Sequence, residues 1–190
     1  MNKTEFTLIH SARRTVQLEI GKSGEITVKA PYGYTKSRAE AFVESHSDWI
    51  NSRQPAIIER SNVYAAADRE KNLVPAARAA LTALTKKYAS IMGAEPQYVG
   101  ITSAKKRFGS CTAQNGINYS KYLVLYPARA VEYVVVHELA HTRHHNHSKE
   151  FYNFISRFMS DYKEREKLLL PQNASAENIE SNVQYALCFR

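Results

Sequence analysis

Cysteine and long apolar segments are scarce in this sequence. Its 190 residues include two cysteines, Cys111 and Cys188, which are too few for a disulfide framework and too far apart for a zinc-knuckle pair. No segment approaches the roughly 18 apolar residues of a membrane span, and the first residues lack the apolar stretch of a secretory signal peptide. We therefore expect a cytoplasmic protein that does not enter a membrane.

Acidic residues are outnumbered by basic ones, 18 to 26, which gives the chain a net charge of +8. An excess of positive charge favours contact with nucleic acid or with an acidic partner. The basic residues are nevertheless spread along the chain, and the short runs are Arg13–Arg14 and Lys105–Arg107. Charge alone therefore makes nucleic-acid association a secondary hypothesis. Hydrophobic residues make up 44% of the chain, enough for a buried core in one domain with an appendage.

The N-terminal region is predicted to form an antiparallel β-sheet. Apolar and polar residues alternate at 16–20 and at 26–30, and the Gly-Lys-Ser-Gly segment at 21–24 is typical of a hairpin loop. Phe6 and Leu8 indicate a preceding strand. Because an isolated hairpin is only marginally stable, other elements must cover its apolar face.

A helix is predicted to follow the hairpin. Ser37 and Glu40 resemble a capping box at its start, and Pro55 is expected near its end because proline interrupts helical hydrogen bonding. The alanines at 65–67 suit either a helix or a linker. The remaining predicted elements are a helix from Pro75 to Gly93, strands at 99–101 and 119–126, a loop at 105–112, a helix at about 128–145, a helix from Ser148, and a loosely attached tail after Pro171.

The pattern His-Glu-x-x-His at positions 137–141 is the most informative motif in the chain. Apolar residues precede it at helical spacing, after Pro127, which suits the first position of a helix. Because residues four apart share one face of a helix, His137 and His141 can bind one Zn²⁺ at roughly 2.0–2.1 Å per nitrogen. Glu138 is rotated by about 100° from His137 and can reach a water on the metal. This arrangement is typical of zinc hydrolases.

A third ligand is expected among the histidines that follow the motif. His144 and His145 are close enough to remain on the same helix, which would carry His145 away from the metal. His147 lies between Asn146, which tolerates turn geometry, and Ser148, which resembles the N-cap of a new helix. The His147 side chain can therefore point back at the first helix. We favour His147, with His144 and His145 as alternatives. The longer zincin motif has glycine at the position of His144, so this chain must turn differently.

Three segments resemble the YgjP-like metallopeptidases, a family related to the SprT-like zinc proteases. They are Arg-Phe-Gly-Ser-Cys-Thr at 107–112, Tyr-Val-Val-Val-His-Glu-Leu-Ala-His at 133–141, and Asn-His-Ser-Lys-Glu-Phe-Tyr at 146–152. Phe108 and Tyr152 stand where the family usually has tryptophan, and both keep an aromatic surface. The hairpin and the Trp49–Ile50 helix are also similar to the family's leading region, so the resemblance extends over about residues 8–160.

The resemblance implies an α+β fold with a zincin-like core. This core would be helical and minimal, of the gluzincin type, with a small antiparallel sheet and a β-hairpin-rich region before it. The resemblance also implies that His137, His141 and His147 bind zinc and that Glu138 is the catalytic base. The corresponding regions are an N-terminal hairpin and helix at 1–60, a linker at 61–74, the catalytic core at 75–166 and a C-terminal tail at 167–190.

The predicted activity is zinc-dependent hydrolysis of a protein or peptide. Three neutral imidazoles leave the metal its full charge and an open position, which lowers the pKa of water to about 7. Glu138 would accept the proton and pass it to the leaving amine. The developing oxyanion needs a further donor, for which the candidates are Arg107, Tyr119, Tyr122 and Tyr152. We expect Cys111, after Gly-Ser in a β-turn, to be a packing residue.

Two other functions fit the same residues. One is a nucleic-acid-associated protein in which the zinc is structural and no bond is cut. A closed site with four protein ligands would favour that function, whereas an open position would favour the peptidase. The other is a zinc hydrolase that acts on a non-peptide amide.

Overall fold

The structure, a computed structural model, describes residues 4–189. Helices and strands are both present, which confirms the predicted α+β class. The strands are β1 (Thr7–Ser11), β2 (Gln17–Ile20), β3 (Ile26–Pro31), β4 (Tyr98–Thr102), β5 (Gly109–Cys111) and β6 (Gly116–Ser120). The helices are α1 (Lys36–Ser45), α2 (Ser47–Ala67), α3 (Leu73–Met92), α4 (Ala128–Ala140), α5 (Lys149–Phe158), α6 (Tyr162–Lys167) and α7 (Asn178–Leu187), with short 3₁₀ turns at Lys121–Leu125 and Pro171–Asn173.

The chain divides into two compact units, Met1–Asn62 and Val63–Arg190. The division falls inside α2 and within the segment predicted as a linker, residues 61–74. Residues 61–67 continue the helix, and Tyr64 and Ala67 are buried in the core of the second unit. Burial of these side chains, together with the high helix propensity of alanine, extends the helix through this segment.

The first unit contains a mixed sheet in the order β1-β3-β2. The predicted hairpin is confirmed, since β2 and β3 pair antiparallel. The prediction that this sheet is wholly antiparallel was wrong, because β1 pairs parallel with β3. Strand β3 lies in the centre because its alternate residues Ile26, Val28 and Ala30 are buried, which leaves its second edge for β1.

Helices α1 and α2 cover this sheet as two elements where one was predicted. The N-cap of α1 is Thr35, whose side chain accepts a hydrogen bond from the Arg38 backbone N–H at 3.3 Å, and not Ser37. The prediction that Pro55 ends the helix was also wrong, because Pro55 lies inside α2. Its neighbour Gln54 donates a hydrogen bond to the Gly24 carbonyl at 2.7 Å. This tertiary contact offsets the backbone bond that proline removes.

The core of the second unit surrounds α3 and α4. Helix α3 ends at Gly93 in the left-handed conformation, as predicted. Its buried face packs with α4 and with the segment before α4. The predicted strand at 119–126 was wrong beyond Ser120, because Ser120 accepts a hydrogen bond from the Tyr122 backbone N–H and begins the 3₁₀ turn. Residues 122–126 are all buried, so the polar alternation that separates strand from helix is missing there.

The second sheet is small and mixed, with the order β4-β6-β5. The predicted strand at 99–101 is confirmed as β4, but it runs parallel to β6. The antiparallel pairing is that of β5 with β6. The small sheet is therefore not wholly antiparallel, and Gly109–Cys111 form an edge strand in place of the β-turn that we predicted.

The C-terminal segment is packed more closely than a loose tail. Helix α7 lies against the core, and Asn182 is fully buried. The Asn182 side-chain amide donates to the backbone carbonyls of Val124 and Tyr126, at 2.9 Å each. These bonds satisfy carbonyls of the irregular segment before α4, whose partners are distant in sequence. Among residues 4–189, no helix is both long and apolar enough to cross a membrane.

Candidate metal centre

Helix α4 carries the His-Glu-x-x-His motif at its C-terminal end. The helix has Pro127 as its N-cap and ends at Ala140, so it is shorter than the predicted 128–145. His141 is the C-cap, and the chain turns immediately after it. This early end matters because it lets a residue beyond the helix return to the motif.

Glu132 anchors α4 about one and a half turns before the motif. Its side chain is buried and accepts hydrogen bonds from four donors on three other helices. They are Lys87 Nζ at 3.2 Å, Tyr88 Oη at 2.6 Å, Arg165 Nη1 at 2.5 Å and Tyr185 Oη at 2.7 Å. Burial by itself would raise the pKa of Glu132, but these donors outweigh it and lower the pKa below its usual value. The helix that carries the motif is thereby fixed to α3, α6 and α7.

Three imidazoles converge at the end of α4. His147 Nε2 lies 3.1 Å from His137 Nε2 and 3.2 Å from His141 Nε2. Ring nitrogens that share a tetrahedral ion at roughly 2.0–2.1 Å would be about 3.3 Å apart. The three rings therefore fit around one metal ion. Among residues 4–189, no other group of three or more His, Cys, Asp or Glu side chains is arranged to hold a metal.

Two of the histidines, His137 and His141, are held in the neutral form that metal binding requires. Burial, with the neighbouring His141 and His147, lowers the pKa of His137 to about 3. Burial likewise lowers the pKa of His141. His141 Nδ1 lies 2.9 Å from the carbonyl oxygen of His144, so Nδ1 carries the proton and Nε2 keeps its lone pair toward the centre.

The turn at residues 141–148 separates His147 from the two alternative ligands. The His144 ring packs on Phe154, with ring centroids 5.5 Å apart, and neither His144 nor His145 belongs to the converging group. Ser148 is the N-cap of α5, as expected from the sequence. The new helix starts there and places His147 opposite the motif.

Phe151 forms one side of the centre. Its ring is fully buried, with its centroid 4.9 Å from His137, 4.5 Å from His141 and 4.9 Å from His147. In the sequence, Phe151 stands out only as part of the segment 146–152 that carries the family resemblance. Because Phe151 contacts all three imidazoles, an ion held by them would have apolar surface on this side.

Glu138 is buried at 6% exposure, and its Oε2 has no hydrogen-bond partner among the described residues. Burial raises the pKa of Glu138 to about 7, although the charge of Arg107 opposes the shift. Strand β5 makes room for this side chain. A Cβ on Gly109 would lie 2.5 Å from Glu138 Oε1, so only glycine fits there without moving the carboxylate.

Tyr133 supports His137 from the preceding turn of α4. Its hydroxyl lies 3.4 Å from His137 Nδ1. Burial raises the pKa of Tyr133. The negative charge of Glu166, the hydrogen-bond partner of Tyr133, raises this pKa further. A carboxylate, a phenol and an imidazole are thus linked in series, which orients the ring and leaves Nε2 for the metal. Sequence reasoning missed both residues because Glu166 comes from α6.

A family model described as the YgjP-like metallopeptidase domain matches residues 70–172. The chain belongs to the YgjP-like metallopeptidase family. The match confirms the resemblance seen in the sequence for the segments that contain the histidines. The N-terminal hairpin lies outside the matched residues. Neither a curated protein nor a solved structure matches the chain. Membership of a metallopeptidase family indicates a metal-dependent hydrolase.

The four residues considered as oxyanion donors of this YgjP-like domain divide into two pairs. Tyr119 is fully buried and receives a hydrogen bond from Thr85 at 3.1 Å. Tyr122 donates to Asp68 at 2.5 Å. Burial closes Tyr119 off from a substrate, and Tyr122 uses its proton in the bond to Asp68. Arg107 acts on Glu138 through its charge, and the Tyr152 ring lies 6.3 Å from that of His147, so these two remain candidates.

Cys111 is not part of the converging group of this YgjP-like domain. It is half-buried in β5, where it pairs with Ile117. Burial, with the charge of Glu138, raises the pKa of the Cys111 thiol. The thiol is therefore protonated at neutral pH and unsuited to metal binding or nucleophilic attack. Its contacts agree with a packing role.

Proposed function

We propose that this protein is a zinc-dependent peptidase in which His137, His141 and His147 hold the metal and Glu138 is the general base. The observation that carries the proposal is the convergence of three ligand nitrogens, all within 4.8 Å of one another. A buried carboxylate stands next to them in the sequence. Three imidazoles form a donor set that suits zinc. The substrate is a protein or peptide, and the second unit is a minimal zincin-like core.

The chemistry requires an acid and a base that the chain supplies itself. When bound, zinc supplies a Lewis acid that activates water and polarises a carbonyl. Glu138 takes up the proton of the attacking water and delivers it to the leaving amine. Tyr133 and the His144 carbonyl hold two of the imidazoles with Nε2 directed to the centre. Phe151 keeps water away from the rear of the rings.

A structural zinc site is the main alternative, and the number of ligands bears on it. Such sites are closed by four protein ligands. Within residues 4–189, no fourth His, Cys, Asp or Glu side chain belongs to the group of three histidines. An open coordination position favours hydrolysis over a purely structural role.

Metal content and hydrolysis measured on paired variants test the proposal. Protein purified without chelators should hold one zinc per chain and cleave an unstructured protein such as casein. Glu138→Gln should keep the zinc and lose about 10²–10⁴-fold in turnover, the usual contribution of a general base. His147→Ala should lower the zinc affinity by about 100-fold or more, whereas the matched variant His144→Ala should keep it.

Three results would contradict these assignments. Turnover retained in Glu138→Gln would remove Glu138 from the reaction. Loss of zinc in His144→Ala with retention in His147→Ala would exchange the third ligand. A spectroscopic coordination number of four protein atoms would support the structural site instead.

A further inference from the structure

A cleft of about 600 Å³ lies beside the metal centre, between α5 and α6. Its lining includes three lysines, two tyrosines and one glutamate: Lys149, Tyr152, Tyr162, Lys163, Glu166 and Lys167. We refer to it as the lysine–tyrosine cleft. Its volume lies within the range of sites that bind small ligands or side chains. Apart from Tyr152 and Glu166, its lining residues have no part in the proposed reaction.

Two contacts connect the lysine–tyrosine cleft to the histidines. The Tyr152 ring centroid lies 6.3 Å from that of His147. On the other side, Glu166 is bonded to Tyr133, whose hydroxyl is 3.4 Å from His137. An extended peptide advances roughly 3.3–3.6 Å per residue. A peptide bond at the metal therefore places a side chain one to three residues away in the cleft.

The charge of the cleft is positive and is not neutralised within the structure. Lys149, Lys163 and Lys167 are exposed, and among the described residues they form no ion pair. Five other basic residues of this unit are paired with acids. Lys87 and Arg165 bind Glu132, Lys105 and Lys121 bind Asp68, and Arg129 binds Asp161. The one carboxylate of the cleft, Glu166, offsets part of this charge, which leaves three ammonium groups against one carboxylate.

The tyrosines give the cleft a defined wall. The rings of Tyr152 and Tyr162 are stacked, with centroids 5.9 Å apart and an interplanar angle of 22°. Lys163 Nζ lies 5.9 Å from the Tyr162 ring centroid. A substrate side chain in the cleft would pack its methylene groups against the two tyrosine rings. Its charged end would then lie near the lysine ammonium groups.

We propose that the lysine–tyrosine cleft is a specificity subsite that receives an acidic side chain, Asp or Glu, of the substrate peptide. The inference rests on the proposed peptidase function and names a substrate class for it. A peptide is favoured over a nucleic acid because three lysines around one cleft form a local site and not a track for successive phosphates.

The test uses two exposed lysines and a matched control. Lys163→Glu with Lys167→Glu reverses charge in the cleft. Lys86→Glu reverses the charge of an exposed lysine on α3 that does not line the cleft. Each zinc-loaded protein is given a pair of quenched fluorescent peptides that differ only in Glu or Lys two residues from the cleaved bond. The Glu or Lys residue is placed first on one side of that bond and then on the other, and kcat/KM is measured for every peptide.

We expect the wild type and Lys86→Glu to prefer the Glu peptide by about tenfold, and the double variant to lose or reverse this preference. Exposed ion pairs are individually weak, so more than one is needed for a tenfold effect, which corresponds to about 1.4 kcal/mol. Fluorescence anisotropy with a labelled Glu-rich peptide provides a readout that does not depend on turnover. Its Kd should weaken by about tenfold in the double variant only.

The outcomes separate this inference from the proposed function. Cleavage with equal preference in the wild type and the double variant would overturn the subsite and leave the peptidase intact. Lysine-dependent binding without any cleavage would support the subsite for acidic peptides and contradict the peptidase. Displacement of the labelled peptide by a single-stranded oligonucleotide at lower concentration than by the unlabelled peptide would overturn the inference in favour of nucleic acid.

Discussion

At the scale of single residues, the space around the Glu138 carboxylate depends on the absence of a side chain at position 109. Gly109 has no side chain, and the space beside its Cα holds the carboxylate. A buried carboxylate without hydrogen-bond partners pays a desolvation cost, and the structure accepts this cost at the position where the proposed reaction needs a base. The glycine in β5 is therefore as much a part of the site as the acid itself.

Gly109→Ala should lower turnover while the metal stays bound. The new Cβ would lie 2.5 Å from Glu138 Oε1, so the carboxylate must move. A displacement of about 1 Å at a catalytic group can cost roughly 100-fold in rate. Zinc stoichiometry and kcat, measured on the same preparation, separate the two effects.

Gly100→Ala is the matched control for that substitution. Gly100 lies in β4 of the same sheet, and a Cβ there would meet the end of the Asn118 side chain, which can rotate away. Its kcat should stay within about twofold of the wild type. Equal losses in the two variants would mean that the sheet, and not the carboxylate, is disturbed.

The sequence predicted part of the site because part of it is local. His137, Glu138 and His141 lie within one and a half turns of a helix, so their spacing alone indicates a metal site. The choice of His147 needed the direction of a turn, which spacing left open. Phe151 and Gly109 lie in segments that resemble the family, but their contacts with the motif could not be predicted, because those contacts depend on how α5 and β5 pack against α4.

At the scale of elements, tertiary contacts override local patterns at recognisable points. Pro55 predicts a helix end, yet α2 continues because Gln54 binds the hairpin loop. The β-rich residues 122–125 form a 3₁₀ turn because Ser120 caps it and every side chain is buried. In both places the apolar residues are evident from the sequence. The hydrogen-bond partner that accompanies the observed backbone conformation is not.

Asn182→Ala should destabilise the second unit more than its position near the C-terminus of the chain would suggest, because the side chain is fully buried. The substitution leaves the carbonyls of Val124 and Tyr126 without the amide that bonds them at 2.9 Å each. Two buried acceptors without partners should cost about 2–4 kcal/mol in the free energy of unfolding. Urea denaturation measures it.

Ser181→Ala on the same helix provides the comparison. Its hydroxyl is exposed and donates to the Glu177 carbonyl at 3.3 Å within α7. We expect a change within about 0.5 kcal/mol. A small effect of Asn182→Ala would instead indicate that α7 is held by apolar packing alone.

At the scale of the whole molecule, the chain has two separate cores, and the three histidines belong to the second. The core of the first unit is built on Ile26, Val28, Ala39, Val43 and Ile50. The core of the second is larger and contains α3 and α4. The family match begins at residue 70 and therefore falls entirely within the second unit.

Acid should destabilise the protein partly through Glu132. Because the folded-state pKa of Glu132 is below its usual value of 4.5, its contribution is present above pH 4.5 and is lost as the pH falls below it. Glu132→Gln should cost about 3 kcal/mol at pH 7, since it leaves cationic partners without their carboxylate. The difference from the wild type should narrow as the pH falls toward 3.

Urea denaturation at a series of pH values measures this difference. All other titrating groups are common to the two proteins and cancel in the comparison. Glu164→Gln, an exposed carboxylate on α6, should change the unfolding free energy by less than about 0.5 kcal/mol at each pH. A pH-independent cost for Glu132→Gln would show that its ionised form is not what the donors stabilise.

The residues that anchor α4 differ in how well the protein should tolerate their substitution. Four donors, Lys87, Tyr88, Arg165 and Tyr185, surround one acceptor, so the loss of any one leaves three and the arrangement is redundant on that side. The acceptor has no such reserve. Random variation should therefore be absorbed at the four donor positions one at a time, while position 132, five residues from the first histidine, behaves as a single point of failure.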